Sequence, residues 1–188
     1  MKPQLTVPPA VLAVTLEDAK KNLRIDGNYQ DSMVELWLWG VITFAENFTE
    51  RSIMEQTWTQ KRDCFPSNGI IKLKRPPVME VESIKYYDAA NVLQTLDPAD
   101  YQVDNASDRA GFIVPGVGLG WPVTFPRINA VEIRYRCGYG NTAVATPRDL
   151  KLYVLAKLNE QFDPLVRPDK ETVQTTFIDG LLDPYLTY

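Results

Sequence analysis

The sequence predicts an α+β chain in which helices from both chain ends form a bundle and a mostly antiparallel β-sheet region is inserted between them. Three observations carry this. Ser32 to Arg51 is a long proline-free run with apolar residues at helical spacing; from Glu55 onward the apolar period changes to two; and at Thr146 the helical pattern returns. The connections between strand-like segments are too short for βαβ crossovers, which excludes a doubly wound nucleotide-binding fold. The expected divisions are an extended arm (1–14), N-terminal helices (15–54), a β-rich insertion (55–145), a helix packing back on the first ones (146–163), and a linker with an apolar tail (164–188).

Each element has its own signal. Thr15 to Arg24 opens on a good N-cap, places Glu17 and Asp18 at the positive helix end and Lys20, Lys21 and Arg24 at the other, and aligns Leu16, Ala19 and Leu23 on one face. Ser32 and Glu35 have capping-box spacing at the start of the long helix. That helix carries one stripe of Met33, Trp37, Val41, Phe44 and Phe48, and a second of Val34, Leu38, Ile42 and Ala45, with Leu36 and Trp39 outside both. A helix apolar around most of its circumference must be covered on several sides. Either it is central to its own domain, or a neighbouring subunit covers Leu36, Trp37 and Trp39.

Strands are expected at Thr57–Phe65, Ile70–Leu73, Val81–Tyr87, Val92–Leu96, Asp100–Val103, Gly111–Val114 and Val131–Cys137, joined by segments rich in Pro, Gly, Asn and Asp. In the last of them Val131, Ile133, Tyr135 and Cys137 alternate with Glu132, Arg134 and Arg136, the pattern of a sheet with one wet face. Thr146 is placed to cap the returning helix, with Pro147 at its first position and Leu150, Val154 and Leu158 as its core stripe. Asp163 to Thr175 is polar and proline-broken and reads as a mobile linker.

Composition narrows the chemistry. A net charge of −4 with scattered basic residues argues against gripping nucleic acid by neutralising phosphates. Lys72, Lys74 and Arg75 are the densest basic group and read as the solvated face of an edge strand. The chain has no histidine, which removes Ser-His-Asp and Cys-His catalysis and histidine metal sites. Cys64 and Cys137 form no CxxC pair; both lie in strand-like segments and are expected as buried free thiols, with a disulfide left open. No apolar run approaches the ~20 residues that cross a bilayer, and the N-terminus has no block typical of a secretory signal. No cofactor, metal or membrane is expected.

The glycine run Gly116 to Gly120 lacks the spacing of either phosphate-binding motif, and Trp121-Pro122 is a poor helix start. It reads as a hairpin tip whose Gly118, Leu119 and Trp121 are candidates for partner contact. The aspartates at 97, 100, 104 and 108 lack the ligand loop of a calcium site and suit turn chemistry. At the C-terminus Phe177, Ile178, Leu181, Leu182, Tyr185 and Leu186 make an apolar segment that must dock. It docks on its own domain or on a partner.

Five segments then fall in order: VTLEDAKKNLRID (Val14–Asp26); the long helix ending Thr49-Glu50-Arg51 before Gln56-Thr57-Trp58; LKRPPVMEVESIKYYD (Leu73–Asp88); LDPADYQVD (Leu96–Asp104); and IRYRCGYG (Ile133–Gly140) with the Pro147 helix and the LLDPY tail. This set resembles the head–tail connector (head-completion adaptor) proteins of long-tailed bacteriophages and prophages. The resemblance implies a structural virion protein of the neck, assembled in the host cytoplasm, with no enzymatic activity. It implies a homo-oligomeric ring, commonly a dodecamer, below the portal protein. The ring extends a channel that DNA crosses without sequence-specific binding and meets the next neck or tail-completion protein. It also implies that the helices build the ring and that the tail reaches the portal. Relatives often carry a basic residue after the terminal Pro-Tyr, whereas this chain has Leu186-Thr187-Tyr188. Two other readings stand beside it: another neck or tail-completion protein, or a small enzyme or carbohydrate-binding module using the aromatic sheet.

Overall fold

The computed structural model describes residues 2–162 and 173–186. The chain is α+β and divides into two units, one from residues 2–8 and 55–138, the other from residues 9–54 and 139–186. The expected linker at 163–172 lies outside the described residues.

The first unit holds every strand among the described residues. They run β1 (Gln4–Val7), β2 (Gln56–Arg62), β3 (Ile71–Leu73), β4 (Val78–Tyr87), β5 (Leu93–Thr95), β6 (Tyr101–Asp104), β7 (Gly111–Pro115) and β8 (Val131–Cys137). All pairings are antiparallel and form two sheets, ordered β1-β2-β8-β4-β5 and β3-β7-β6. β8 lies between β2 and β4 and alternates as its sequence requires: Val131, Ile133, Tyr135 and Cys137 are buried, and the charged residues between them are half-exposed. Ile71, Leu73 and Ile113 of the smaller sheet join the same core. The Gln60 side chain helps hold the sheets together, donating to the Lys72 carbonyl at 3.1 Å and accepting from the Lys74 amide at 3.3 Å. The buried Tyr135 hydroxyl donates to the Lys74 carbonyl at 2.9 Å. Lys72 is exposed on β3, an edge strand, while Arg75 lies 4.9 Å from the centre of the Trp58 ring.

Several sequence expectations are corrected here. The arm at 1–14 is not free: Gln4–Val7 pairs with β2 as an edge strand, and Ala13 and Val14 are buried in the second unit. A four-residue strand flanked by Pro3, Pro8 and Pro9 gives little periodic signal. β2 ends at Arg62, so Cys64 lies beyond the strand and is exposed; Cys137 is buried, and the two form no disulfide. The segment from Leu96 to Asp104 passes from one sheet to the other. Asp97 caps a 3₁₀ turn by accepting from the Ala99 amide at 2.9 Å, and β6 then begins at Tyr101.

The second unit contains α1 (Leu16–Leu23), α2 (Asp31–Thr49), α3 (Arg148–Phe162) and α4 (Val173–Gly180). Thr15 caps α1, accepting from the Asp18 amide at 3.0 Å, and Lys20 pairs with Asp31 at 2.6 Å. The capping box expected at Ser32 and Glu35 does not form. α2 begins at Asp31 after Gln30, which makes no side-chain cap bond, because the turn closed by the Asp31 amide on the Asn28 carbonyl runs directly into the helix. Asp31 supplies the negative charge at that end instead. Thr146 does not cap α3 either: its hydroxyl donates to the Met54 sulfur at 3.3 Å, and the Pro147 carbonyl accepts the first helical bond, from Lys151.

One core draws on all of this unit's segments, with Ala19 of α1, Leu38 and Ile42 of α2, Tyr153, Val154 and Leu158 of α3, and Ile178, Leu182 and Tyr185 of the tail. No described helix is long and apolar enough to cross a membrane.

Candidate assembly surfaces

The two stripes of α2 have different fates. Val34, Leu38, Val41, Ile42 and Ala45 are buried. Met33, Leu36, Trp37, Phe44 and Phe48 are exposed, by 37% for Trp37 and 66% for Leu36, and the rings of Phe44 and Phe48 stack at 6.0 Å. Leu36 and Trp37, two candidate interface residues, therefore lie on open surface, and Trp39 is half-buried. The sequence divides α2 into the correct stripes, except that Val41 belongs with the buried one. Periodicity alone does not tell which stripe faces the core.

The tail is fastened to its own unit. Ile178, Leu182 and Tyr185 are buried, Leu181 and Leu186 are half-buried, and Phe177 is exposed. Tyr185 is held from three sides. Buried Arg51 donates through Nε to its carbonyl at 2.7 Å, its hydroxyl donates to the Asp149 carboxylate at 2.7 Å, and Tyr139 meets its ring edge-on at 6.4 Å. Burial and the Asp149 carboxylate both push the Tyr185 phenol well above its ordinary range. Ile178, Leu182 and Tyr185, proposed from sequence as partner-binding, thus serve the chain's own core in this structure. Arg51 gives no signal in the sequence, because a lone arginine after a helix reads as surface.

Lys157 of α3 bonds Glu160 at 3.1 Å and Asp179 of α4 at 2.7 Å. Burial lowers its pKa, but these two carboxylates outweigh that and the ammonium is held above its ordinary range. Beside this ion group an open groove of about 470 Å³ runs along α2, lined by Trp37, Gly40, Val41 and Phe44 on one side and by Tyr153 and Lys157 on the other. Burial raises the Tyr153 phenol to about 12.

In the β-rich unit the loop after β7 is pinned rather than free. The Trp121 indole donates to the Gly69 carbonyl at 3.0 Å and stacks on Phe65 at 4.7 Å, so Trp121 is an anchor; Leu119 is exposed, and Gly118 sits in the left-handed region at φ +77°. This segment is also not a hairpin tip, since β7 and β8 belong to different sheets. On the wet face of β8 the charges cancel in place: Arg134 bonds Glu82, Arg136 bonds Glu55 at 2.6 Å and Glu80 at 2.8 Å, and Lys61 meets Glu132 at 3.3 Å. A face of paired charges has little to offer a phosphate backbone. No group of three potential metal ligands occurs among the described residues.

No protein-family profile and no curated protein matches this chain. Solved structures do. A chain in the neck of an empty GTA particle, computed with C6 symmetry, superposes with a TM-score of 0.83 over 100% of this chain and 96% of its own, at 19% identity. The two chains share one fold. A chain in the virion of a native gene transfer agent (GTA) particle matches at 0.80, and one in the native GTA neck computed with C12 symmetry at 0.74, with the same identity and coverage. At this identity the likeness concerns the fold, and it embraces both units.

Proposed function

We propose that this chain is a structural protein of the neck of a tailed phage or phage-like particle, and more specifically a head–tail connector. Copies close into a ring below the portal, extend the DNA channel and join the capsid to the tail. The observation that carries this reading is the superposition over the whole chain on chains from GTA necks. The C6 and C12 symmetry of those necks supports a ring of identical copies, with a dodecamer the natural size. The exposed apolar face of α2 supports assembly, since the largest apolar patch on a protein surface often marks an interaction site. An acidic chain whose Arg134 and Arg136 are paired with carboxylates suits a channel wall past which DNA slides.

In this reading the helical unit builds the ring, and the β-rich unit contacts neighbouring copies or the next neck or tail-completion protein. Of the tail, Phe177 with the outer edges of Leu181 and Leu186 is available to the portal without disturbing the core. A second reading, another neck or tail-completion protein of the same particle, is favoured by the neighbours' description as necks without a stated position.

Electron microscopy of the purified chain mixed with portal rings separates the two. A ring seated on the portal supports the connector. A chain that ignores portals but caps tail tubes supports the second reading and contradicts the first.

A further inference from the structure

We infer that the three-stranded sheet carries an electrostatic key between successive copies of this chain. Its basic side, Lys72 and Lys74, meets the acidic side, Asp97, Asp100 and Asp104, of the next copy. This rests on the ring reading above and names the contact that gives the ring its direction.

The first observation is that charge on this sheet is sorted by sign. Lys72 lies on β3 and Lys74 just beyond it, whereas Asp104 ends β6, and Asp97 and Asp100 bound the 3₁₀ turn that leads into β6. All five are exposed. β7 separates the two strands, which sets the two signs about 10 Å apart at ordinary strand spacing. The register lines Lys72, Phe112 and Asp104 up in one row, so the opposite charges share a face of the sheet. In the β6–β7 turn Asp108 and Arg109 offset each other in sign.

The second observation is that these charges are left over. On the wet face of β8, Arg134, Arg136 and Lys61 each find a carboxylate in their own chain. Lys72, Lys74, Asp97, Asp100 and Asp104 form no ion pair among the described residues. Asp97 and Asp104 accept only the amides of Ala99 and Ala106, at 2.9 and 3.2 Å, which leaves their charge uncompensated. Each side of the sheet is the complement of the other. A separate basic or acidic partner would account for one side and leave the other unexplained, whereas a second copy accounts for both.

The contact is one of side chains and not a continued sheet. Gln60 already holds the Lys72 carbonyl and the Lys74 amide, and the Tyr135 hydroxyl holds the Lys74 carbonyl, so this edge of β3 does not add a strand. Exposed ion pairs add little affinity each; what they supply is partner choice and register, because sides of like sign repel. In a cyclic ring one surface of each copy meets a different surface of the next. Opposite signs on the two sides of one sheet fit that arrangement.

The test is a charge swap, read by sedimentation velocity on the full chain alone over a range of concentrations and mixed with portal rings. One variant is Lys72→Glu/Lys74→Glu and the other is Asp100→Lys/Asp104→Lys. Each then carries one sign on both sides, so its self-association is expected to weaken about tenfold or more at an unchanged melting temperature. An equimolar mixture sets opposite signs against each other again and is expected to regain wild-type association, in sets larger than pairs. Variants that associate like the wild type would overturn the key and leave the neck reading standing. A mixture as weak as its components refutes the second copy and assigns the two sides to other partners. A mixture that stops at pairs refutes the head-to-tail contact. A wild type that never self-associates, alone or on portals, overturns both the key and the ring reading. If a variant melts early, carbodiimide coupling of mixed light and heavy-isotope wild-type chains decides instead. Peptides of mixed isotope joining Lys72 or Lys74 to Asp97, Asp100 or Asp104 support the key, and their absence overturns it.

Discussion

The two units treat their apolar residues differently. In the β-rich unit β8 buries what its alternation marks as inward, from Val131 to Cys137; of the large exposed aliphatics, Val117, Val123 and Ile128 sit in connecting loops and Leu5, Val7 and Leu93 on the edge strands β1 and β5. In the helical unit one side of α2 is core and the other side, Met33, Trp37, Phe44 and Phe48, is equally apolar and open. Loop aliphatics scattered singly are normal on a monomer. A stripe along one face of the longest helix is the kind of patch that often marks an interaction site. The difference locates a stripe of exposed apolar surface on one face of the unit that is proposed to build the ring.

Mutations across α2 and β8 are the sharpest way to break this comparison. Leu38→Ala and Ile133→Ala remove fully buried side chains and are each expected to cost about 2–5 kcal/mol in urea unfolding. Phe48→Ser, on the open stripe, is expected to stay within about 0.5 kcal/mol of wild type. A large loss from Phe48→Ser would mean that the stripe is core after all.

The tail fastening is the next largest effect. Tyr185→Phe removes a hydrogen bond to a carboxylate and should cost about 1.5–3 kcal/mol. Its pH dependence has a definite sign. The raised phenol pKa favours the protonated form in the folded state, so the stabilisation is fully present below the unfolded tyrosine pKa of about 10 and is lost as pH rises towards the folded value. Urea midpoints should be flat through neutral pH and fall above about pH 10, less steeply in Tyr185→Phe.

Two glycines give a smaller contrast of opposite sign. A Cβ on Gly111 of β7 would lie within 2.8 Å of the Val78 Cβ, so Gly111→Ala should destabilise by about 1–3 kcal/mol. Gly40→Ala meets no atom within 4 Å among the described residues and should stabilise the free chain by up to about 1 kcal/mol. Thermal melts of the two variants check both signs.

Much of this was legible in the sequence where periodicity is long and regular. α2, α3 and β8 announce themselves through uninterrupted stripes, and the switch from period 3.6 to period two marks where the sheet region begins. Caps were less legible. Ser32 and Thr146 have the right chemistry, but tertiary partners and a preceding turn overrode the local pattern, as when the Thr146 hydroxyl turned to Met54. Edge elements and isolated polar anchors were not legible at all: β1 is too short to show a period, and Arg51 and Gln60 act through partners far away in the chain. The candidate surface was half legible. Sequence showed that α2 is apolar on too many sides but not which side its own chain leaves open, since that depends on where α3 and the tail pack.

The central claim is that the open stripe of α2 exists to hold copies together. Native mass spectrometry of the full chain on portal rings, beside a Phe44→Glu/Phe48→Glu variant with an unchanged melting temperature, tests it most directly. The account predicts a closed set of repeated copies for the wild type and none for the variant. An identical set for both would contradict it.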